Sequence, residues 1–291
     1  MKIRSPTTSP FAPESSAWLD GLRDAHASAS TMDCYSRDIR DLAAALGSDE
    51  VGAIVRIDQS VVDGIAATWA ATGTAQSTIF RRFSALRSFA RFLSLERSYD
   101  CSKLLSCRFP PCGRVRRAAV DDDVIEIMLA VSSNDRDESW TYARDHAALR
   151  LAASSGLTTA ELVGLNRGDY NPRLSTVRVT GSHLNGRPGI VSPEAKEWLE
   201  RYLRAQPFEL TPSAPLFVTS RGTRFSARSL QLACRRLRQA NGVSPDAVPT
   251  SLRNALAANL VRSGAAPELV AKTLGIGVAA AWRYFDTPQT L

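Results

Sequence analysis

The side chains that could attack an electrophile or move a proton are few and unevenly spread in this sequence. Its three histidines are His26, His146 and His183, so the last third of the chain has none. That third contains Arg253 and, close to the end, Tyr284. A tyrosine without a nearby base is a poor nucleophile. Residue types alone therefore predict no complete catalytic set at this end.

Cysteine spacing argues against a metal site. Cys101, Cys107 and Cys112 are separated by five and four residues, which fits no common zinc motif, and no histidine lies near them. Five cysteines in 291 residues are too few for a disulfide framework. No apolar run approaches the roughly 18 residues of a membrane span, and residues 1–6 lack a secretory signal. We expect reduced cysteines, no metal or other cofactor, and a cytoplasmic, nucleoid-associated protein.

The net charge of +7 is concentrated in one segment. Residues 101–120 contain five basic side chains and no acid, whereas the regions on either side are close to neutral. A basic strap between two domains suits a chain that lies along phosphates, where neutralisation releases counterions. A solvated linker has the same composition, so both interpretations stay open.

Apolar periodicity predicts four helices in residues 15–97. The second begins after Ser30-Thr31, the third covers about 60–71, and the fourth has an apolar face with arginines on its other sides. Residues 98–118 contain Pro110-Pro111 and the Arg114–Arg117 run, which predict a linker. Residues 119–291 form the second predicted domain.

The second domain is predicted to be helical with one hairpin. Residues 121–131 and 142–155 read as helices, and residues 176–180 pair with Ile190-Val191 across a glycine-containing turn. Residues 216–218 read as a further short strand. The helix after Ser226 is amphipathic and basic on its outer surface.

Several motifs resemble the tyrosine recombinases, the phage integrase family, over about residues 15–288. The segment 31–39 is similar to a helix of the family's DNA-clamping domain, and residues 144–149 followed by 155–162 are similar to the opening of its catalytic domain. Leu252-Arg253-Asn254 and Leu274-Gly275-Ile276 fall where the last two motifs belong. The resemblance implies a mainly α fold with a small antiparallel β-sheet: a helical SAM-like N-terminal domain and an α+β catalytic-type C-terminal domain that close as a clamp on duplex DNA.

The resemblance also implies a chemistry. In this family a tyrosine attacks a phosphodiester to give a 3′-phosphotyrosyl bond and a free 5′-hydroxyl, without metal or ATP. Two arginines hold the nonbridging oxygens, a hairpin lysine assists the leaving oxygen, and histidines handle protons. Positioned cations therefore supply most of the rate.

Measured against those motifs, the chain departs at most catalytic positions. The first arginine is replaced by Thr158, and the hairpin turn 181–186 contains no lysine. The two histidine positions of the next motif are Thr250 and Asn254, and the last is Ile276. Arg253 alone remains, so we predict a protein that is not an enzyme.

Two assignments stay open at the sequence level. Tyr284 matches the family's local arginine–tyrosine pattern, whereas counting from the preceding motif places Phe285 at the nucleophile position. Arg253 either remains a phosphate anchor or has become structural, satisfying carbonyls or an acid such as Glu161.

The leading functional prediction is a sequence-specific, catalytically inactive DNA-binding protein, acting as a transcriptional regulator or as an architectural recombination factor. The alternative is a site-specific recombinase with a rearranged site that uses Tyr284 and Arg253. Expected partners are double-stranded DNA and either an active recombinase or the transcription machinery, but no membrane. Only seven residues follow Tyr284, so we expect a monomer or dimer on DNA rather than a synaptic tetramer. The predicted DNA contacts are Arg81, Arg82, Arg87, Arg91, Arg114, Arg116, Arg117, Arg187, Arg228, Arg235, Arg236 and Arg253.

Overall fold

The computed structural model describes residues 11–25, 27, 29–111, 121–130, 139–180, 186–209 and 211–285. The chain divides into two compact units, Met1–Val115 and Arg116–Leu291. The predicted phosphate contacts Arg114, Arg116 and Arg117 and the hairpin turn 181–185 lie outside the described residues.

The N-terminal unit is helical. Its helices are α1 (Phe11–Asp24), α2 (Ala29–Leu46), α3 (Val51–Val55), α4 (Gln59–Ala71), α5 (Gln76–Arg97) and α6 (Ser102–Ser106). The four predicted helices correspond to α1, α2, α4 and α5, while α3 and α6 are too short for a periodic pattern to reveal. The side chain of Asp58 accepts a hydrogen bond from the Val61 amide and so caps α4.

One aromatic core holds this unit together. Trp18 of α1 packs on Tyr35 and on Phe89, and Phe83 of α5 packs on Trp69. Leu104 of α6 is fully buried in the same cluster. The first part of the segment predicted as a linker therefore contributes to the N-terminal core.

The C-terminal unit combines helices with a small sheet. Its helices are α7 (Asp122–Leu129), α8 (Trp140–Ser155), α9 (Thr159–Gly164), α10 (Pro193–Ala205), α11 (Ala227–Ala240), α12 (Pro249–Arg262), α13 (Pro267–Leu274) and α14 (Val278–Ala281). Its strands are β1 (Tyr170–Asn171), β2 (Thr176–Val179) and β3 (Arg187–Ile190), and two 3₁₀ turns cover Arg167–Asp169 and Trp282–Tyr284. Helix α8 is central, packed against α10, α11 and α12. The mainly helical fold with a small antiparallel sheet is confirmed.

The sheet differs from its prediction in three ways. The order is β1-β2-β3, all antiparallel, and β1 was not predicted. Strand β3 begins at Arg187 rather than near Ile190, so this arginine pairs with Val179 in the ladder. The strand predicted at residues 216–218 is wrong: this stretch is buried, but Val218 makes only an isolated bridge to Arg224. A buried apolar triplet looks like a strand whether or not a partner strand lies beside it.

Among the described residues, no helix combines the length and apolar composition that crossing a lipid bilayer requires.

Candidate active site

Arg253 lies inside the C-terminal unit, on the buried face of α12. Pro249 occupies the first turn of this helix, where a proline costs no hydrogen bond. Its apolar residues Leu252 and Ala255 enter the core, and the Arg253 side chain between them is 8% exposed. Its guanidinium donates to the carbonyl of Gly156 and, at 2.7 Å, to that of Leu274. These carbonyl contacts are among those expected of a structural Arg253.

Gly156 forms one wall of the site at the C-terminal end of α8. Its φ of +57° is the left-handed conformation that ends many helices and favours glycine. A Cβ here would come within 2.9 Å of both Leu256 and Leu274. The glycine therefore allows α8, α12 and α13 to meet where Arg253 lies.

Thr158 and Glu161 form the second wall. The Thr158 hydroxyl accepts from the Glu161 amide at 3.1 Å, and the Glu161 carboxylate accepts from the Thr158 amide at 2.7 Å. This reciprocal capping box starts α9. Threonine at 158 thus has a structural role at the position where the family motif has its first arginine. The same carboxylate oxygen of Glu161 lies 3.6 Å from Arg253 Nη1.

Arg187 enters from the sheet. Its side chain points inward from β3 and is 4% exposed. It donates to the carbonyls of Ser155 at 3.1 Å and Gly156 at 3.3 Å, and its Nη2 lies 3.5 Å from Glu161 Oε2. The structure therefore brings Arg187 and Arg253 together, although 65 positions separate them in the sequence.

Tyr284 completes the group. Its hydroxyl accepts a hydrogen bond from Arg283 at 2.9 Å, and its turn packs against α12, the helix that carries Arg253. The tyrosine lies on the Trp282–Tyr284 turn and packs with Phe285 and Ile276 against the small core of α13 and α14. Tyr284 therefore has a hydroxyl with a cationic donor on it, whereas Phe285 has no hydroxyl, and the choice between them as nucleophile stays a prediction.

The site carries more positive than negative charge. Burial lowers the pKa of Arg253 and of Arg187, and repulsion from Arg253 lowers the pKa of Arg187 further. Both guanidinium groups nevertheless stay protonated at neutral pH. Glu161 is the one described carboxylate that lies within 4 Å of either group. Such a site favours an anion.

The predicted DNA contacts of the N-terminal unit have different environments. Arg81 lies 2.5 Å from Asp38, and Arg82 pairs with Asp41. Arg87 lies over the Phe109 ring and donates to the Cys107 carbonyl. Arg91 is exposed. Sequence periodicity could not separate these arginines, because their partners come from other segments.

On α11, Arg228 and Arg235 are exposed. Arg236 is also exposed but lies 2.5 Å from Asp145, which in turn pairs with Arg144. Arg228 and Arg235 are thus the predicted contacts on α11 that form no ion pair with the described residues.

Comparison with known proteins identifies the family. The model of the phage integrase family matches residues 119–276, and that of the phage integrase N-terminal SAM-like domain matches residues 16–97. The chain belongs to the phage integrase family. The resemblance drawn from the motifs is confirmed.

Relatives and structures of this family match most of the chain. The tyrosine recombinase XerC of Nitrobacter winogradskyi is 30% identical over 268 residues, covering 89% of this chain and 84% of that protein. The XerC of a Methylobacterium species is 31% identical, covering 84% and 79%. A λ integrase dimer bound to a COC′ core site has a TM-score of 0.72 at 16% identity, covering 97% and 98%. XerH recombinase bound to a palindromic difH substrate has a TM-score of 0.71 at 15% identity, covering 94% and 82%. These two structures share the fold.

The prediction that this phage integrase family member is not an enzyme is wrong. The relatives that match it over most of its length are named tyrosine recombinases, and no structural observation shows a loss of activity. The error arose because residues were compared motif by motif. That comparison named Glu161 as an acid for Arg253 but missed the position of Arg187 beside the same carboxylate and Arg283 on the tyrosine hydroxyl.

Proposed function

We propose that this protein is a site-specific tyrosine recombinase that binds duplex DNA and breaks and rejoins its strands through Tyr284. The observation that carries the proposal is the position of Tyr284, whose hydroxyl accepts a hydrogen bond from Arg283 at 2.9 Å and whose turn packs against α12, the helix of the buried Arg253. An arginine of this kind binds a phosphate through two charge-assisted hydrogen bonds. The tyrosine oxygen is therefore held beside the place where a scissile phosphate would bind.

The reaction follows from this placement. The Tyr284 oxygen attacks phosphorus, a phosphorus–oxygen bond to the tyrosine forms, and the bond to the 5′ oxygen breaks. The phenolic proton is released to water, and the departing 5′ oxygen takes a proton from water. Arg283 donates to the Tyr284 oxygen and so stabilises the negative charge that the oxygen carries as it attacks. Rejoining reverses these steps.

Binding to duplex DNA rests on the cations outside this site. Arg91, Arg228 and Arg235 are exposed on two helices, and we propose that they contact phosphates, as does the basic strap that precedes residue 119. We propose that each of the two units makes phosphate contacts of its own.

The test is formation of a covalent adduct. DNA selected by the protein from a random duplex pool would be nicked beside the bound centre, so that cleavage releases a short fragment and traps the intermediate. We expect a protein–DNA adduct that survives denaturing electrophoresis and disappears in Tyr284→Phe. Phe285→Leu is the matched control and should retain the adduct. Tight duplex binding without an adduct would contradict the proposal.

A further inference from the structure

One carboxylate of the C-terminal unit lies between two arginines where α8 packs against α11. Through one oxygen Asp145 of α8 lies 2.7 Å from Arg144 Nη2, and through the other it lies 2.5 Å from Nη2 of Arg236 on α11. The side chains of Asp145 and Arg144 are 8% and 7% exposed, whereas that of Arg236 is 63% exposed. Two cations therefore share one anion, and the surplus charge lies at the surface.

The buried part of this cluster is fixed by several contacts of Arg144. Its Nε and Nη2 both donate to the same oxygen of Asp145, at 2.9 and 2.7 Å, and its Nη1 donates to the carbonyl of Val218 at 3.0 Å. The guanidinium also lies 4.5 Å from the centre of the Phe225 ring. Asp145 is thus held in place by a cation that stays buried.

The charge of Asp145 is balanced mainly by Arg144. Burial raises the pKa of the Asp145 carboxyl, and attraction to Arg144 opposes this rise more strongly than attraction to Arg236 does. Among the described residues, Nε and Nη1 of Arg236 have no hydrogen-bond acceptor. Arg236 therefore keeps two donor groups and a positive charge for a ligand.

The helix that carries Arg236 has a basic surface. Arg228 and Arg235 are exposed on it, and the sequence of α11 contains no acid. Such a surface attracts the phosphates of a nucleic acid. Because Asp145 already restricts the Arg236 side chain, less conformational entropy is lost when this arginine binds a ligand.

We propose that Asp145 is a positioning residue that presents Arg236 to a backbone phosphate of the bound duplex. This inference rests on the DNA binding that is part of the proposed function. Arg236 binds the phosphate through the donors that Asp145 leaves free, while Arg144 keeps the carboxylate in place. Asp145 and Gly156 lie about 16 Å apart along α8, so this phosphate is not the scissile one. The carboxylate strengthens DNA binding although it is negative, because Arg144 balances its charge.

The direction of one effect tests the positioning role. Asp145→Asn removes a negative charge, so DNA binding would tighten if Asp145 only neutralised Arg236. We expect instead several-fold weaker binding to the duplex that the protein selects from a random pool, with a salt slope lower by nearly one unit. In the Arg236→Ala background the same substitution should not weaken binding further, because no guanidinium is left to position. If Asp145→Asn does not fold, Arg236→Lys decides, since it keeps the charge without the fork and should bind several-fold more weakly.

Arg178 provides the matched control for charge. Its side chain is 72% exposed and lies 2.9 Å from the buried Asp169, which pairs with no second arginine among the described residues. Arg178→Ala and Arg236→Ala therefore remove the same charge from an exposed ion pair. Arg236→Ala should lower the salt slope of duplex binding by nearly one unit, and Arg178→Ala should leave the slope within about a quarter of a unit of the wild type.

Ethylation interference identifies the phosphate. Ethylating the contacted phosphate should weaken binding by the wild type but not by Arg236→Ala. If Arg236→Ala instead loses its preference for one base pair with an unchanged salt slope, Arg236 reads a base and the inference is overturned. Tighter binding by Asp145→Asn, wild-type affinity of Arg236→Lys, or equal slopes for Arg236→Ala and the wild type would overturn it as well, while leaving the proposed function intact. Failure of the wild type to bind any duplex would overturn both.

Discussion

Two pairs of arginines, one on α5 and one around Gly156, differ in how their charge is balanced. On α5, Arg81 and Arg82 each have their own carboxylate, from Asp38 and Asp41. Around Gly156, Arg187 and Arg253 share the one carboxylate of Glu161. The first arrangement is electrically neutral, whereas the second has a cation in excess.

The difference separates an ion pair that has a structural role from a charged site that is expected to bind an anion. Burial raises the pKa of Asp38 in spite of the nearby Arg81. The desolvation cost of this carboxylate is therefore larger than its stabilisation by Arg81. Such a pair aligns α2 with α5 and contributes little to stability. A buried site with surplus positive charge lowers stability without an anion, and a protein that retains it is expected to bind one.

Removing the shared carboxylate should have the largest effect. Glu161→Gln keeps the shape of the side chain but leaves two buried guanidinium groups without a counter-charge. We expect the C-terminal unit to lose about 3–5 kcal/mol of stability, as when one partner of a buried pair is removed. Amide hydrogen exchange resolved by peptide would measure each unit separately.

The matched change in the N-terminal unit is Asp38→Asn. It frees Arg81, whose side chain is 37% exposed and can be hydrated, so we expect a loss below about 1 kcal/mol. Similar losses in the two variants would mean that the two arrangements do not differ energetically.

Lowering the pH should destabilise the C-terminal unit selectively, because His146 is buried there. This ring is fully buried in α8, stacked on Trp198 and tilted against Tyr142, and neither of its nitrogens has a hydrogen-bond partner among the described residues. Burial, with Arg150 and Arg201 nearby, lowers the pKa of His146 to about 4. Between pH 6.5 and 4 the unfolded chain therefore binds a proton that the folded unit does not, and stability falls as pH falls.

The C-terminal unit should lose about 2–3 kcal/mol over that interval. The raised pKa of Asp38 has the opposite sign, because the folded N-terminal unit gains stability as this acid is protonated. In His146→Phe, the free energy of unfolding of the C-terminal unit should no longer fall between pH 6.5 and 4, while that of the N-terminal unit is unchanged. If the fall persists in this variant, other titrating groups cause it.

The sequence predicted the long elements well because each has an apolar stripe of its own. Helix α5 and helix α11 show this. Helices α3 and α6, at five residues each, have no measurable period. What they bury is decided by neighbours from distant segments.

The site was only half predictable for the same reason. Arg253 and Tyr284 follow from local motifs, and Glu161 was named as an acid that Arg253 could pair with, at 3.6 Å in the structure. That Arg187 joins them depends on where β3 begins and on which face of the sheet its first side chain points. A register shift of one residue would send that side chain to the opposite face, and no spacing rule in the sequence fixes it.

The smallest expected effect distinguishes free cations from paired ones in DNA binding. Arg91 is exposed on α5, so Arg91→Ala should lower the salt dependence of duplex binding by nearly one unit of slope and weaken binding several-fold, equally for specific and unrelated DNA. The control is the double variant Arg81→Ala with Asp38→Asn, which removes the neighbouring ion pair without changing the net charge. Its slope should equal that of the wild type, because Arg81 already has a counter-charge at 2.5 Å. Titrations at four salt concentrations would measure both slopes. If the double variant lost as much slope as Arg91→Ala, Asp38 would not keep Arg81 from the phosphates, and the distinction between paired and surplus arginines would fail on this helix.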